Sequence, residues 1–151
     1  MRLSDILSES LIRISLRNQN KTAVIEELLD LASASGKIKN RNAVLQAVLE
    51  RENLMSTGLG KGIALPHAKT DDVDSLVLAV AVSREGIDFN STDGQLSHLF
   101  FFLLAPKKDA ALNLQVLAKI AGLTNSPEFC QSLINAGSAK ELLDLIREEE
   151  N

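Results

Sequence analysis

Residues 51–68 read Arg51-Glu52-Asn53-Leu54-Met55-Ser56-Thr57-Gly58-Leu59-Gly60-Lys61-Gly62-Ile63-Ala64-Leu65-Pro66-His67-Ala68. Three glycines at alternate positions lead into a short apolar run that Pro66 stops. His67, one of only two histidines in the chain, follows at once. Glycine has no Cβ and tolerates positive φ, so a loop of this kind lets backbone approach an anion closely. Imidazole is the side chain best suited to accept and pass on a group near neutral pH. Arg51 carries a planar, permanently charged fork of the kind that grips phosphate. Thr57, Gly58, Gly60 and Gly62 are therefore candidates for a phosphate-binding loop, His67 for a nucleophile and Arg51 for its cation. Together they point to a phosphate carried on a histidine.

Each of these residues has a plainer reading. A lone histidine after a proline is often a satisfied core or surface residue. The glycines weigh against that here, because three of them cost backbone entropy and pack nothing. The segment is not a Walker loop, since Gly60-Lys61 is followed by Gly62 rather than Ser or Thr, and the dinucleotide spacing is also missed. Arg51 extends the apolar stripe of Val44, Ala47 and Val48 at helical spacing. It is either a helix-end cation complementing the dipole or an anion ligand beside the loop. His98 lies in the run Leu96 to Ala105, on one strand face with Leu96, Phe100 and Phe102. It is either a hydrogen-bonded core histidine or a second imidazole reaching the His67 pocket. Ser56, His67 and Asp71 could form a hydrolase triad only on paper, because no Gly-x-Ser-x-Gly elbow exists. Two histidines without a cysteine cluster predict no metal site, and no cofactor is expected.

Working outward, Asn20 caps a predicted helix through Val24, Ile25, Leu28, Leu29 and Leu31 to about Ser35, where Gly36 ends it. Asn40 caps a second from Arg41 to about Asn53. Leu11 to Leu16 is a strand candidate, and so is the segment Ile63 to Leu65, because a residue before proline is pushed toward extended backbone. Leu76 to Val82 and Leu96 to Ala105 are continuous apolar runs that predict strands buried on both faces. Arg84-Glu85-Gly86 and Thr92-Asp93-Gly94 between them carry turn signals. The remainder predicts helices at about Ala110 to Leu123, Pro127 to Ala136 and Ala139 to Glu149. Ser126 caps one ahead of a first-turn proline, and Ser138 with Glu141 suggests a capping box. Helices enclosing buried strands give an α/β fold, a mixed sheet sandwiched between helices.

The 151 residues suit a single domain spanning 1–151 with a substantial core, and 45% are hydrophobic. No apolar run reaches membrane-span length and the first residues lack a secretory signal, so a cytoplasmic protein without direct membrane insertion is expected. Cys130 stands alone, with no His or basic neighbour to activate it, and reads as a structural thiol. A net charge of −4, with five Phe and no Tyr or Trp, argues against a nucleic-acid platform or a sugar-stacking surface.

The stretch from Ser56 to His67 resembles the IIA component of the bacterial phosphoenolpyruvate-dependent phosphotransferase system (PTS), fructose/mannitol/nitrogen-regulatory class. Leu49-Glu50-Arg51-Glu52 before it extends the likeness. So do His98-Leu99, Leu103-Leu104-Ala105-Pro106 and Glu141-Leu142-Leu143 after it, so that it covers nearly the whole chain. The resemblance implies a phosphotransferase component of mannitol/fructose IIA-like fold. His67 would accept phosphate from the carrier HPr or a relative, on Nε2, and pass it to a sugar-specific IIB component. Arg51 matches the family's active-site arginine, and His98 matches a second histidine of sugar-transporting members. The alternative is a nitrogen-regulatory phosphoprotein that controls target proteins through its phosphorylation state. His98 leans toward the sugar class and the stand-alone length toward the regulator. Two positions depart from the pattern: Ala68 stands where glycine is usual, and Asn113-Leu114 where many relatives have His-Leu.

Overall fold

Alternation along two long strands decides which side of the molecule each core residue serves. A computed structural model describes residues 1–151. Its sheet is built from β1 (Ile12–Arg13), β2 (Gly58–Gly60), β3 (Ile63–Ala64), β4 (His67–Lys69), β5 (Val77–Ile87) and β6 (Ser97–Ala105). The strand order is β1-β5-β6-β3-β2, with β4 also on β6. β5 and β6 run antiparallel, while β1 lies parallel to β5 and both β3 and β4 lie parallel to β6. The sheet is mixed, as expected.

Helices α1 (Lys21–Ala32) and α2 (Arg41–Leu54) cover one face; α3 (Ala110–Leu123), α4 (Pro127–Ile134) and α5 (Ala139–Glu149) cover the other. Val77, Ala79 and Ala81 of β5, with Phe100, Phe102 and Leu104 of β6, pack toward Val24, Leu28, Val44 and Val48. Their neighbours Leu78, Val80, Val82, Leu99, Phe101 and Leu103 pack toward Ile120, Leu133 and Ile146. Because side chains alternate across a strand, an unbroken apolar run is what two covered faces require. Each fully buried Leu or Phe adds about 1.5–3 kcal/mol of transfer free energy.

The capping residues act as read. Asn20 Oδ1 accepts from Ala23 N at 2.9 Å and Asn40 Oδ1 from Ala43 N at 3.1 Å. Ser126 Oγ accepts from Phe129 N at 3.2 Å. The Ser138 box is only half made: Ser138 Oγ accepts from Glu141 N, but the Glu141 carboxylate turns to Gly137 N instead.

Three expectations change. The Leu11–Leu16 strand shrinks to Ile12–Arg13, because Glu9–Leu11 forms a 3-10 turn that delivers the chain to the sheet edge. Arg84-Glu85-Gly86 is not a turn between strands. β5 continues through it as a bulge, its register on β6 shifting between Val82 and Ile87, with Ser83 Oγ accepting from Gly86 N. Finally, the extended segment expected at Ile63 to Leu65 does not end at Pro66. Proline lacks the N–H that would continue the ladder, yet Pro66 O still accepts from Leu103 N at 3.1 Å and pairing resumes at His67. β3 and β4 are thus two collinear pieces on one edge of β6, interrupted beside the histidine.

Candidate functional site

His67 opens β4 opposite Leu103, half-buried, at the floor of a cleft of about 920 Å³ between α2 and α3. Ala43 and Ala47 keep the α2 wall low, Arg51 and Leu54 stand toward its end, and Asn113 and Leu117 form the α3 wall. Lys69, Asp71, Asp72 and Lys107 also line it, so charges of both signs surround the histidine.

The ring is held by the chain just ahead of its own strand. His67 Nδ1 lies 2.8 Å from the carbonyl oxygen of Leu65. A carbonyl can only accept, so Nδ1 carries the proton and Nε2 keeps its lone pair. Burial pushes the His67 pKa below the ordinary imidazole value, and the Arg51 guanidinium pushes the same way; the Leu65 carbonyl and Glu52 partly oppose them. The ring is therefore a neutral base at physiological pH, with its nucleophilic nitrogen fixed by tautomer.

Arg51 satisfies both of its readings. It sits in the last turn of α2 and donates from Nη1 to the Met55 carbonyl at 3.1 Å, which serves the helix end. It also lines the cleft with His67, and that one bond leaves other N–H groups of the fork free to meet an anion.

The glycine segment and His98 do not join them. Gly58 and Gly60 pair with Ala64 and Ile63 in an edge hairpin, and no residue of this loop lines the cleft. Three of its amides are already occupied: Thr57 N donates to the Glu52 carboxylate, Gly58 N to Ser56 Oγ and Lys61 N to Asp93 Oδ2. The expected phosphate cradle of Thr57, Gly58, Gly60 and Gly62 is corrected accordingly. These glycines answer steric demands instead. Gly60 and Gly62 adopt φ of +87° and +82°, and a Cβ at Gly58 would stand 2.5 Å from Ser91 Oγ.

His98 lies beside this hairpin, its backbone N–H donating to Gly62 O at 2.7 Å. Its Nδ1–H donates to Ser83 O at 3.0 Å, and the ring packs between Gly62 and Gly86. It stands five positions along β6 from the level of His67, about 16 Å at strand rise. The expectation that it reaches the His67 pocket is corrected: strand level separates them.

Two residues that the chemistry-first reading did not assign lie close to the site. Glu52 is buried beneath the end of α2, accepting from Thr57 N at 2.8 Å and Thr57 Oγ1 at 2.6 Å, with Lys21 Nζ at 3.6 Å. Its position directly after Arg51 is the one signal the sequence offers. Asn113 is buried in the cleft wall, and only its departure from the family's His-Leu drew attention to it. Ala68, the other departure, is a buried strand residue opposite Leu104 outside the positive-φ region, so its Cβ is accommodated without strain.

Residues 5–149 match the family described as phosphoenolpyruvate-dependent sugar phosphotransferase system, EIIA 2. The chain is 37% identical over 146 residues to the fructose-specific EIIA component of the PTS of Haloferax volcanii, covering 97% of this chain and 95% of that one. It is 33% identical over 150 residues to the fructose-specific EIIABC component of Bacillus subtilis, covering 99% of this chain but spanning only 24% of that longer protein. Among solved structures, nitrogen regulatory protein IIA-Ntr from Neisseria meningitidis superimposes with a TM-score of 0.88 at 30% identity, covering 95% of this chain and 98% of that one.

Proposed function

The chain belongs to the EIIA 2 family of the phosphoenolpyruvate-dependent sugar phosphotransferase system, and from that premise we propose that His67 is its phosphoryl acceptor. The observation that carries this is the Leu65 carbonyl on Nδ1, which leaves Nε2 as the free nucleophile in a cleft shared with Arg51.

The Nε2 lone pair attacks the phosphorus held on a donor histidine in line. The N–P bond to the donor breaks and its electron pair returns to the donor ring. The new N–P bond places positive charge on the His67 ring, whose Nδ1–H already points at the Leu65 carbonyl. Arg51 neutralises the equatorial oxygens, so the protein supplies position and charge rather than a covalent step of its own. Transfer to the next protein reverses these movements.

The donor is an HPr-like carrier and the acceptor a IIB component, as the resemblance implies and as the EIIABC name of the Bacillus relative suggests. We place the exchange in the cytoplasm and read residues 1–151 as one IIA domain; no helix is long and apolar enough to cross a membrane. A second reading, regulation of other proteins by phosphorylation state, is supported by the likeness to IIA-Ntr. His98, lying outside the cleft, weighs for neither.

Incubation with phosphoenolpyruvate, the general phosphotransferase enzyme and the carrier should add an acid-labile phosphate to the wild type and none to His67→Ala. Arg51→Gln should lose about 2–4 kcal/mol of transition-state stabilisation, roughly thirty- to a thousandfold in rate. Full labelling of His67→Ala would end this reading. Prompt onward transfer to a fructose-class IIB component supports the transport role, whereas phosphate retained in its presence supports the regulatory one.

A further inference from the structure

The buried stripe of α2 ends on a carboxylate. Val44, Val48 and Glu52 recur at every fourth position and are the buried residues of that helix. Glu52 is 7% exposed and stands in the last turn, where the helix dipole disfavours negative charge. Burial adds a desolvation penalty, and its ionic partner, Lys21 Nζ, is 3.6 Å away. A leucine here would complete the apolar stripe and avoid both penalties. What a leucine could not do is hold Thr57.

Thr57, itself buried, donates from its backbone N–H to Glu52 Oε2 at 2.8 Å and from its hydroxyl to Oε1 at 2.6 Å. The bonds continue from there toward the histidine. Thr57 O accepts from Leu65 N at 2.9 Å, and Leu65 O accepts from His67 Nδ1–H at 2.8 Å. In the other direction, Glu52 is the chain neighbour of Arg51. The Arg51 guanidinium donates to Met55 O, inside the short loop that the Glu52–Thr57 pair closes. Neither Glu52 nor Thr57 lines the cleft. Building on the phosphoryl-acceptor reading of His67, we infer that Glu52 and Thr57 are positioning residues for the transfer reaction. Their buried pair fixes the Arg51 guanidinium and the Leu65 carbonyl, and through that carbonyl the His67 ring, in one relation across the cleft. They act through Arg51 and His67 and touch no phosphate. In-line attack depends on such placement, since an error of about 1 Å costs on the order of a hundredfold in rate.

The test uses the full chain, labelled with 15N at histidine, with phosphoenolpyruvate, the general enzyme and the carrier. Thr57→Val keeps the shape of the side chain and removes its donor. At saturating carrier it should accept phosphate about ten- to a hundredfold more slowly, with KM for the carrier within about twofold of wild type. Its unphosphorylated His67 should show a mixture of Nδ1–H and Nε2–H tautomers where the wild type shows Nδ1–H alone. Thr57→Ser, which restores the hydroxyl, should recover the rate to within about threefold and the single tautomer. Glu52→Leu should be at least as slow as Thr57→Val; if it does not fold, the Thr57 pair decides alone. Glu27→Gln, which alters a buried carboxylate on α1 outside the cleft, should lower the melting temperature yet keep the wild-type rate on folded protein. A Thr57→Val protein with the wild-type rate overturns the inference. So do a loss confined to KM, a loss that Thr57→Ser does not recover, His67 resonances unmoved in Thr57→Val, or a fall in rate that Glu27→Gln shares in step with stability. If the wild type takes no phosphate on His67, the reading of the site falls and the inference with it. Labelled His67 beside an indifferent Thr57 overturns the inference alone.

Discussion

His67 is poised by three local features: burial at the cleft floor, a carbonyl two residues back, and a guanidinium across the cleft. Burial is the largest and disfavours the imidazolium. Folding therefore binds fewer protons at this site than the unfolded chain does. The stability tied to neutral His67 is full above the unfolded imidazole pKa of about 6.5 and is lost as pH falls from there toward the lowered folded value. NMR titration should find the His67 midpoint below 6.5, and Arg51→Gln should raise it by removing a like charge. A midpoint unmoved by that substitution would place Arg51 too far away to contact the phosphate. That His67 and Arg51 belong together was legible from the sequence, and the structure places both on one cleft. The Nδ1 partner was not, because Leu65 contributes only its carbonyl, which every residue has. Cys130 keeps its structural reading: it is buried, and desolvation pushes its thiol pKa up, away from the reactive range.

At the scale of elements, the glycine segment carries the clearest lesson. Alternating glycines looked like amides offered to a ligand, but the segment lies outside the cleft, and its Thr57, Gly58 and Lys61 amides are taken by Glu52, Ser56 and Asp93. Only the Ser56–Gly58 pairing is a local turn that spacing can reveal; Glu52 pairs across the end of α2, and Asp93 lies on the far side of β5 in sequence. The hairpin is instead a fitted edge that ties α2 to the sheet, with Ser56 Oγ and Lys21 Nζ both donating to the Phe89 carbonyl. Gly60→Ala tests this reading. Its φ of +87° disfavours any Cβ, and that Cβ would stand 2.9 Å from Asp93 Oδ2. We expect a loss of about 1–3 kcal/mol in denaturant unfolding, with the rate of phosphate acceptance on the remaining folded protein within about twofold of wild type, since strain of that size is confined to a loop outside the cleft. A large fall in transfer at unchanged stability would return the loop to the active site. β4 was hidden for a different reason: a proline ends a strand on paper, whereas here the parallel edge of β6 recaptures the chain one residue later.

For the molecule as a whole, the two apolar runs made the layered architecture legible, since only a sheet covered on both faces needs Phe100, Phe101 and Phe102 side by side. The polar joints between layers were not legible, because their partners are distant or irregular. Glu27 shows this best. It is a buried carboxylate on α1 that accepts from Arg13 Nη1, the backbone N–H groups of Arg17 and Asn18, and Asn18 Nδ2. Burial alone would raise its pKa, but these donors together hold it below the usual value. Its stabilising effect is present above the unfolded carboxyl pKa of about 4.3 and is lost as pH falls through the lowered folded value. Glu27→Gln should cost about 1.5–3 kcal/mol at neutral pH and progressively less in acid; an equal cost at both pH values would show that packing, not charge, is what Glu27 provides.

The central claim, that the phosphate is carried on Nε2 of His67 and not on His98, is tested most directly by NMR of protein labelled with 15N at histidine, before and after phosphorylation by the carrier. The account predicts that one ring changes, that its phosphorus couples to Nε2, that its Nδ1 stays protonated, and that the His98 resonances hold their positions. Phosphorus coupled to Nδ1 of His67, or to either nitrogen of His98, would contradict it.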